Sequence, residues 1–369
     1  MLRWTIANWL VSIAAGTALV ACSSVGGSPG GSTAQKSNAA GANPPEVSKK
    51  LDEYYQRAQA SKELRVVHYG GPGPEYEEII KEFRRHYPDI EVETVTLRGP
   101  DMIQRLQAES ASGKIIANVG SHGQTTMTTL DAAGMLQQWE GPPTAALLPE
   151  IPLTTGGVRW PQTESIYGYI ANTQLVPPDK MPKSREDLLD PFWKGKGKLL
   201  IEDPRGNGPG LDVFTMNYVH KGQAWLDAIK AQEPTFVRDR DAAPTQIARG
   251  EYAIFYPVGT TREQFDLEKV APVKVDWLRD GGSTVLTGTV SVIKNGPAQD
   301  AARLWVSWLT SFEGQRVMTD QLYSHPALPG VQPATGLPPF SEVNPSRRSP
   351  DEIRRNNEFI EIFDRTFFK

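Results

Sequence analysis

Apolar and polar positions along this chain fall into blocks of different period. Ile6 to Val20 is a mostly apolar run behind a single positive residue, Arg3. It is too short and too rich in Gly and Ala to span a bilayer, which takes about 20 apolar residues, and it reads as the core of a secretory signal. Residues 23–46 are almost entirely Ser, Gly, Ala, Pro and Asn, with Lys36 the only charge before Glu46. Such a segment buries too little apolar area to order itself and predicts a flexible tether. Leu51, Tyr54, Tyr55 and Ala58 then repeat at helical spacing. Leu64–Tyr69 is a β-rich run closing in Gly70-Gly71-Pro72-Gly73-Pro74, and Tyr76, Ile79, Ile80 and Phe83 share one face of a helix that stops at Tyr87-Pro88-Asp89. Ile90–Val95 predicts a second strand, Met102–Glu109 a helix and Ile115–Val119 a third strand. Strands alternating with helices predict βαβ units on a parallel sheet.

Farther along, Tyr167–Ala171 and Val273–Trp277 are short β runs. Ala301, Leu304, Trp305, Trp308 and Leu309 lie at the spacing of a core-facing helix. The Pro-rich stretch 326–350 predicts a surface loop, and Pro350–Phe368 a last helix anchored by Ile353, Ile360, Phe363 and Phe367. All of the region from Ala298 is expected to pack on the first half of the fold.

Composition narrows the function classes. A chain of 369 residues with 39 % hydrophobic content can bury two cores. A net charge of −4 makes nucleic acid a poor partner, because phosphate binding needs a concentrated basic surface. Cys22 is the sole cysteine, so disulfides and thiolate metal sites within the chain are excluded. No GxSxG elbow, HExxH, P-loop or paired carboxylate motif points to an enzyme. Glu186, Asp187 and Asp190 cluster, but turn and capping roles account for them.

Leu19-Val20-Ala21-Cys22 resembles the lipobox of bacterial lipoproteins. That resemblance implies a signal peptide over 1–22 and lipidation of Cys22, with stable anchoring because two acyl chains hold where one does not. The folded part resembles the bacterial periplasmic solute-binding proteins, nearest the branch serving ABC importers for ferric iron, thiamine, polyamines, phosphonates and sugar phosphates. The resemblance rests on Leu64–Gly71, Phe83–Ile90, Ala117–Leu136, Ala171–Pro178, Asp187–Lys196, Asp203-Pro204-Arg205, Ala248–Glu251 and Ser311–Gln315, which fall in family order. Asp187-Leu188-Leu189-Asp190-Pro191-Phe192-Trp193-Lys194-Gly195-Lys196 is the most specific of them.

The resemblance implies an α/β, two-lobed type II periplasmic-binding-protein fold whose lobes are joined by two crossing strands. Lobe one is expected over 62–158 and 283–369, lobe two over 159–282, with Tyr167–Ala171 and Val273–Trp277 as the crossings. It further implies an ABC permease and ATPase complex as partners, a periplasmic or cell-surface location, and solute capture by hinge closure. The alternative is a ligand-sensing receptor for a sensor kinase or chemoreceptor.

Ligands of open α/β sheets sit beyond the carboxyl ends of strands, facing helix N-termini. Four loops qualify: Tyr69-Gly70-Gly71; Gly120-Ser121-His122-Gly123, with Thr125 or Thr126 as cap of the next helix; Arg205-Gly206-Asn207-Gly208-Pro209-Gly210; and Pro257-Val258-Gly259-Thr260-Thr261-Arg262. Arg205 and Arg262 favour an anionic solute, since guanidinium pairs bidentately with carboxylate or phosphate. Polyamine would call for several cleft carboxylates, Glu202 and Asp203 being the candidates. Iron-binding members of the branch carry adjacent tyrosines at the position of Thr260-Thr261, and Tyr252 and Tyr256 fall on the preceding strand, so a ferric site is not expected. Of the histidines, His68 is on the first strand, His86, His220 and His325 read as surface or turn residues, and only His122 lies at a cleft position. No cofactor is expected.

Overall fold

The structure, a computed structural model, describes residues 42–71, 73–148, 157–206 and 208–369. Cys22 and the segment before residue 42 lie outside the described residues, as does Asn207. The fold opens with α1 (Pro45–Ser61), whose first turn already takes Pro45 and Glu46, expected in the tether. Proline is suited to a first turn because it has no N–H to leave unpaired. The alternation of β1 (Arg65–Gly70), α2 (Tyr76–His86), β2 (Glu91–Thr96), α3 (Gly99–Ser112), β3 (Val119–Gly123) and α4 (Gln124–Ala132) follows. β1 lies parallel between β2 and β3, the core of lobe one.

β4 (Trp160–Asn172) leaves that lobe. It leads into β5 (Leu199–Glu202), α5 (Pro209–Lys230), β6 (Thr235–Val237), α6 (Ala243–Ala248), β7 (Ile254–Gly259), α7 (Arg262–Val270) and β8 (Val273–Asp276). β5 runs parallel between β6 and β7 and forms the centre of lobe two. β9 (Thr284–Val292) returns the chain: Thr284–Val290 pairs with β4, and Gly288–Val292 with β3. The two crossing strands are therefore β4 and β9. Val273–Trp277, expected as the second crossing, instead forms the short β8 hairpinned onto Tyr169–Asn172 within lobe two. Four residues of strand span only about 13 Å, too little to bridge two lobes. A single sheet results, ordered β2-β1-β3-β9-β4-β7-β5-β6.

β3 starts later than the apolar run Ile115–Val119 and continues through Gly120–Gly123, where the glycines predict a loop. The cause is local. The Glu109 carboxylate accepts from the Ile116 and Ala117 amides at 2.8 and 3.4 Å, holding them out of the ladder. Beyond Val119, β1 and β9 supply hydrogen bonds on both sides.

The chain ends with α8 (Gln299–Leu309), α9 (Phe312–Leu322), β10 (His325–Pro326), α10 (Phe340–Val343), α11 (Pro350–Arg354) and α12 (Asn356–Phe367). α8 fills the lobe-one core as its spacing predicts: Trp305 and Trp308 stack at 5.7 Å, and Phe83 of α2 meets Trp305 edge-on at 4.8 Å. α12 departs from expectation and packs on lobe two, where Phe363 meets Phe214 of α5 at 5.4 Å and Phe236 of β6 at 4.9 Å. The apolar face was legible; its partner was not, because amphipathicity is silent about which sheet is covered. The Pro-rich stretch is not wholly a surface loop either, since Ala327, Leu328, Ala334, Leu337 and Val343 are buried. His325, read as a turn residue, is buried with Nε2 at 2.7 Å from the Pro338 carbonyl.

Candidate ligand cleft

The candidate residues lie at the carboxyl ends of β1 and β3 in lobe one and of β5 and β7 in lobe two. At Gly70 the backbone turns with φ +123°, and a Cβ would overlap the Ser121 carbonyl oxygen, so glycine is required. That oxygen also accepts from the Gly71 amide at 2.9 Å. Tyr69 is fully buried, donates its hydroxyl to Glu109 Oε1 at 2.8 Å and lies under Arg105, so its side chain belongs to the packing against α3.

Ser121 is buried and hydrogen-bonds His68 Nε2 at 2.8 Å. Trp305 donates its indole N–H to His68 Nδ1 at 3.1 Å. An indole only donates, which assigns the imidazole proton to Nε2 and the Ser121 oxygen as its acceptor. Full burial keeps that imidazole neutral, its pKa pushed down to about 3. Ser121 is thereby free to donate to the buried Tyr76 hydroxyl. His122 is half-buried beside Gly99, and its imidazole pKa is lowered by burial and then by the charge of Arg240. Neither Thr125 nor Thr126 caps α4; the N-cap is Gly123, which leaves the first amides without a side-chain acceptor.

In lobe two, four expected residues have partners of their own. Arg205 forks onto Asp203, with Nε to Oδ1 at 2.8 Å and Nη2 to Oδ2 at 2.5 Å, and lies over the ring of Phe368 at 4.4 Å. Thr260 donates its hydroxyl to the Ile166 carbonyl at 3.1 Å. Thr261 caps α7 in a reciprocal box with Gln264. Arg262, at the start of α7, donates to the Asp320 carbonyl at 2.5 Å and lies over Tyr323. These contacts fasten α7 to α9. Tyr256 on β7 is buried, accepting from Asn217 at 3.2 Å and donating to the Gly282 carbonyl at 2.6 Å, as its strand position predicts.

Gly208 lies at the start of α5 and Gly259 at the end of β7. Gly208 is the N-cap of α5, again without side-chain cap, and a Cβ there would come within 3.3 Å of Glu202 Oε1 and 3.8 Å of Arg240 Nη1. Gly259 lies against the Tyr167 ring. Around them stand three residues that the four loops did not include: Tyr167 on β4, Glu202 at the end of β5, and Arg240 in the loop after β6. Arg240 interacts electrostatically with Tyr167, lies 3.9 Å from Glu202 and acts on His122 of the other lobe. Burial drives the Glu202 carboxyl up to about 7 despite that guanidinium. Beside the cluster, Arg98 and Asp241 approach to 4.0 Å from opposite lobes. The signal for Arg240 was present in principle, since Val237-Arg238-Asp239-Arg240 is a fifth strand end. β6, three half-buried residues long, has too little apolar pattern to announce itself.

Among the described residues one group could hold a metal: Glu82, His86 and Glu313, at the far end of α2 from the cleft. No helix of the described residues is long and apolar enough to cross a membrane.

Residues 78–344 match the family model for bacterial extracellular solute-binding proteins. Iron uptake protein A2 of Synechocystis is 24 % identical over 297 residues, which are 73 % of this chain and 83 % of that protein. Iron-bound HitA from Pseudomonas aeruginosa superposes with a TM-score of 0.69 at 21 % identity, over 82 % of this chain and 99 % of its own. AfuA from Actinobacillus pleuropneumoniae, with fructose-6-phosphate bound, gives 0.65 at 18 %, over 82 % and 98 %. At those identities the structures speak to fold, a type II periplasmic binding protein. This chain belongs to the bacterial extracellular solute-binding protein family.

Proposed function

We propose that this solute-binding protein, the capture component of an ABC importer, takes a small anionic solute into the cleft between its lobes. Arg240 carries the reading. Its side chain is 47 % exposed, and its carboxylate neighbours Glu202 and Asp241 stand no nearer than 3.9 and 3.7 Å. Its charge acts on His122 of the opposite lobe, and it lies near the glycine-capped start of α5. Guanidinium and uncapped helix amides both favour negative charge. An anion bonded to Arg240 and His122 together would engage both lobes and so favour closure.

The iron uptake protein and iron-bound HitA among its relatives raise the ferric alternative. Ferric iron wants several anionic oxygens. Here a guanidinium lies among Tyr167, Glu202 and His122, Tyr256 is sequestered, and the two threonines serve backbone and cap. The donor set suits an anion better than a trivalent cation. For localisation, the lipobox-like tetrad supports attachment of the exported chain to a membrane through Cys22. Cys22→Ser should abolish palmitate labelling and release the protein from the membrane fraction; labelling that persists would rule the anchor out.

The test of the ligand class is thermal shift and calorimetry with inorganic phosphate, organophosphates, phosphonates and dicarboxylates, set against polyamines, thiamine, neutral sugars and ferric salts. A ligand at a hundredfold excess over Kd stabilises by about 2.7 kcal/mol. Anions should raise the midpoint by a few degrees, Arg240→Ala should abolish the rise, and Arg205→Ala should retain it. A rise with cations or neutral sugars alone would sink the proposal.

A further inference from the structure

We infer that the solute carries a hydroxyl group beside its anionic group, and that the Glu202 carboxylate is the acceptor that reads it. The inference rests on the anion reading above and goes past it to the other half of the ligand. Glu202 ends β5 with 6 % of its surface exposed. One side of its carboxylate is accounted for: Oε1 lies 3.9 Å from Arg240 Nη1, and the Gly210 amide hydrogen-bonds the side chain. Its second oxygen, Oε2, is buried without a partner. A buried carboxylate oxygen with no donor is costly. The cost is reflected in the raised proton affinity of the group, whose ordinary value is displaced to about 7. An apolar residue would pack at the end of β5 without that penalty, so the oxygen is most simply explained by a donor that arrives with the ligand.

Two classes of donor are available to a small solute, a hydroxyl and an ammonium. Arg240 decides between them. Its positive charge lies beside Glu202, and an ammonium bonded to Oε2 would sit within a few ångströms of it, in a buried setting where like charges repel strongly. A hydroxyl meets the same acceptor with no net charge. The backbone at Gly208 and Gly210 packs closely on Glu202, where a Cβ would meet Oε1 at 3.3 Å or Cγ at 2.9 Å. The class is a hydroxylated anion, either a polyol phosphate or a hydroxy acid.

The experiment is isothermal titration of the purified protein at pH 8, above the Glu202 titration, with matched probes. Glycerol 1-phosphate is compared with propyl phosphate, malate with succinate, and phosphoethanolamine with ethyl phosphate. A hydrogen bond to a charged acceptor is worth about 1.5–3 kcal/mol, so the hydroxylated member of at least one of the first two pairs should bind about 10- to 150-fold more tightly. Glu202→Leu should cut that preference below about threefold while leaving or improving affinity for the partner without hydroxyl. Glu202→Gln, closer in shape, serves if the leucine variant does not fold, and should lower the preference without abolishing it. Anions that bind with no preference for a hydroxyl overturn the inference and leave the anion reading standing. A preference that survives both variants places the hydroxyl elsewhere, and phosphoethanolamine binding more tightly than every hydroxylated probe refutes the choice of donor. Failure of all anions to bind removes the anion reading itself.

Discussion

Arg205 separates two readings of the same residue, one as a ligand-binding arginine and one as a fastener between β5 and α12. Arg205→Ala removes the fork onto Asp203, a 3.5 Å approach to Asp364, and the stacking over Phe368 and Phe363 at 4.4 and 5.5 Å. Asp203 is 3 % exposed and keeps Arg238 at 3.3 Å as well as the residue 205 amide at 2.9 Å. Removing one partner of a buried pair costs about 3–5 kcal/mol. Arg205 is itself 30 % exposed and Asp203 retains partners, so about 3 kcal/mol is the reasonable figure, stacking included. With about 2.1 cal/mol/K of unfolding entropy per residue over roughly 320 folded residues, that is a fall of about 4 °C in midpoint. Differential scanning calorimetry measures it, and hydrogen exchange should show faster opening of 356–367. The loss should also depend on pH. Burial alone would raise the Asp203 carboxyl, but the Arg205 hydrogen bonds and charge outweigh it and hold the group below its ordinary 3.8. A depressed carboxylate stabilises the fold above that value and stops doing so as pH falls through the folded pKa, so wild type and variant should converge below about pH 4. Anion-induced stabilisation should be the same in both proteins. An unchanged midpoint together with loss of that stabilisation would refute the fastener and return Arg205 to the cleft.

Gly70→Ala should cost about 3 kcal/mol or more in denaturant titrations, from a left-handed backbone plus overlap with the Ser121 carbonyl. Gly123→Ala, with φ −60° and open space, should stay within about 0.5 kcal/mol. His68 is neutral when folded, with a pKa near 3 against 6.5 unfolded, so protonation of the unfolded chain drains stability as pH falls below 6.5. The slope contributed is up to about 1.4 kcal/mol per pH unit, and His68→Gln should flatten the midpoint-versus-pH curve between pH 6.5 and 4. Ferric salts should give no stoichiometric visible band, and Tyr256→Phe should cost about 1–2 kcal/mol of stability through the lost Gly282 and Asn217 bonds without changing the visible spectrum.

How far the sequence reaches is clearest from two arginines. Period alone was enough for α2, where Tyr76, Ile79 and Phe83 are buried as their spacing requires, and for α8 with Trp305 and Trp308. The βαβ alternation of β1 through β3 was equally legible, and it located the strand ends that border a cleft. Arg205 and Arg240 both follow strand ends, and both have an aspartate within two residues. What distinguishes them is α12, which brings Asp364, Phe363 and Phe368 over Arg205 from about 160 residues away and over Arg240 not at all. Local chemistry cannot encode that difference. Thr260 and Thr261 show the same limit at shorter range: a hydroxyl at a loop serves ligand or backbone equally well until the Ile166 carbonyl and Gln264 take it.

The surviving cleft residues also bear on how closure would be driven. Arg98 and Asp241 meet across the lobes at 4.0 Å with 86 % and 75 % exposure, and so exposed a pair contributes about 0–1 kcal/mol at most. No strong latch is built there, and the energy must come from the solute. Moving a two-state equilibrium from 1:99 to 99:1 takes about 5.5 kcal/mol of differential affinity. Bonds to lobe two form in the open state as well, so only those made to lobe one count toward closure; at about 1.5–3 kcal/mol each, one charge-assisted bond to His122 falls short, and two to four to His122 and α4 amides are needed. Tyr167 stands where that grip would meet the hinge. It lies on crossing strand β4, interacts electrostatically with Arg240 and rests on Gly259, while Thr260 of the next residue ties back to Ile166 of β4. A solute that draws Arg240 toward lobe one therefore pulls on the strand about which the lobes must turn.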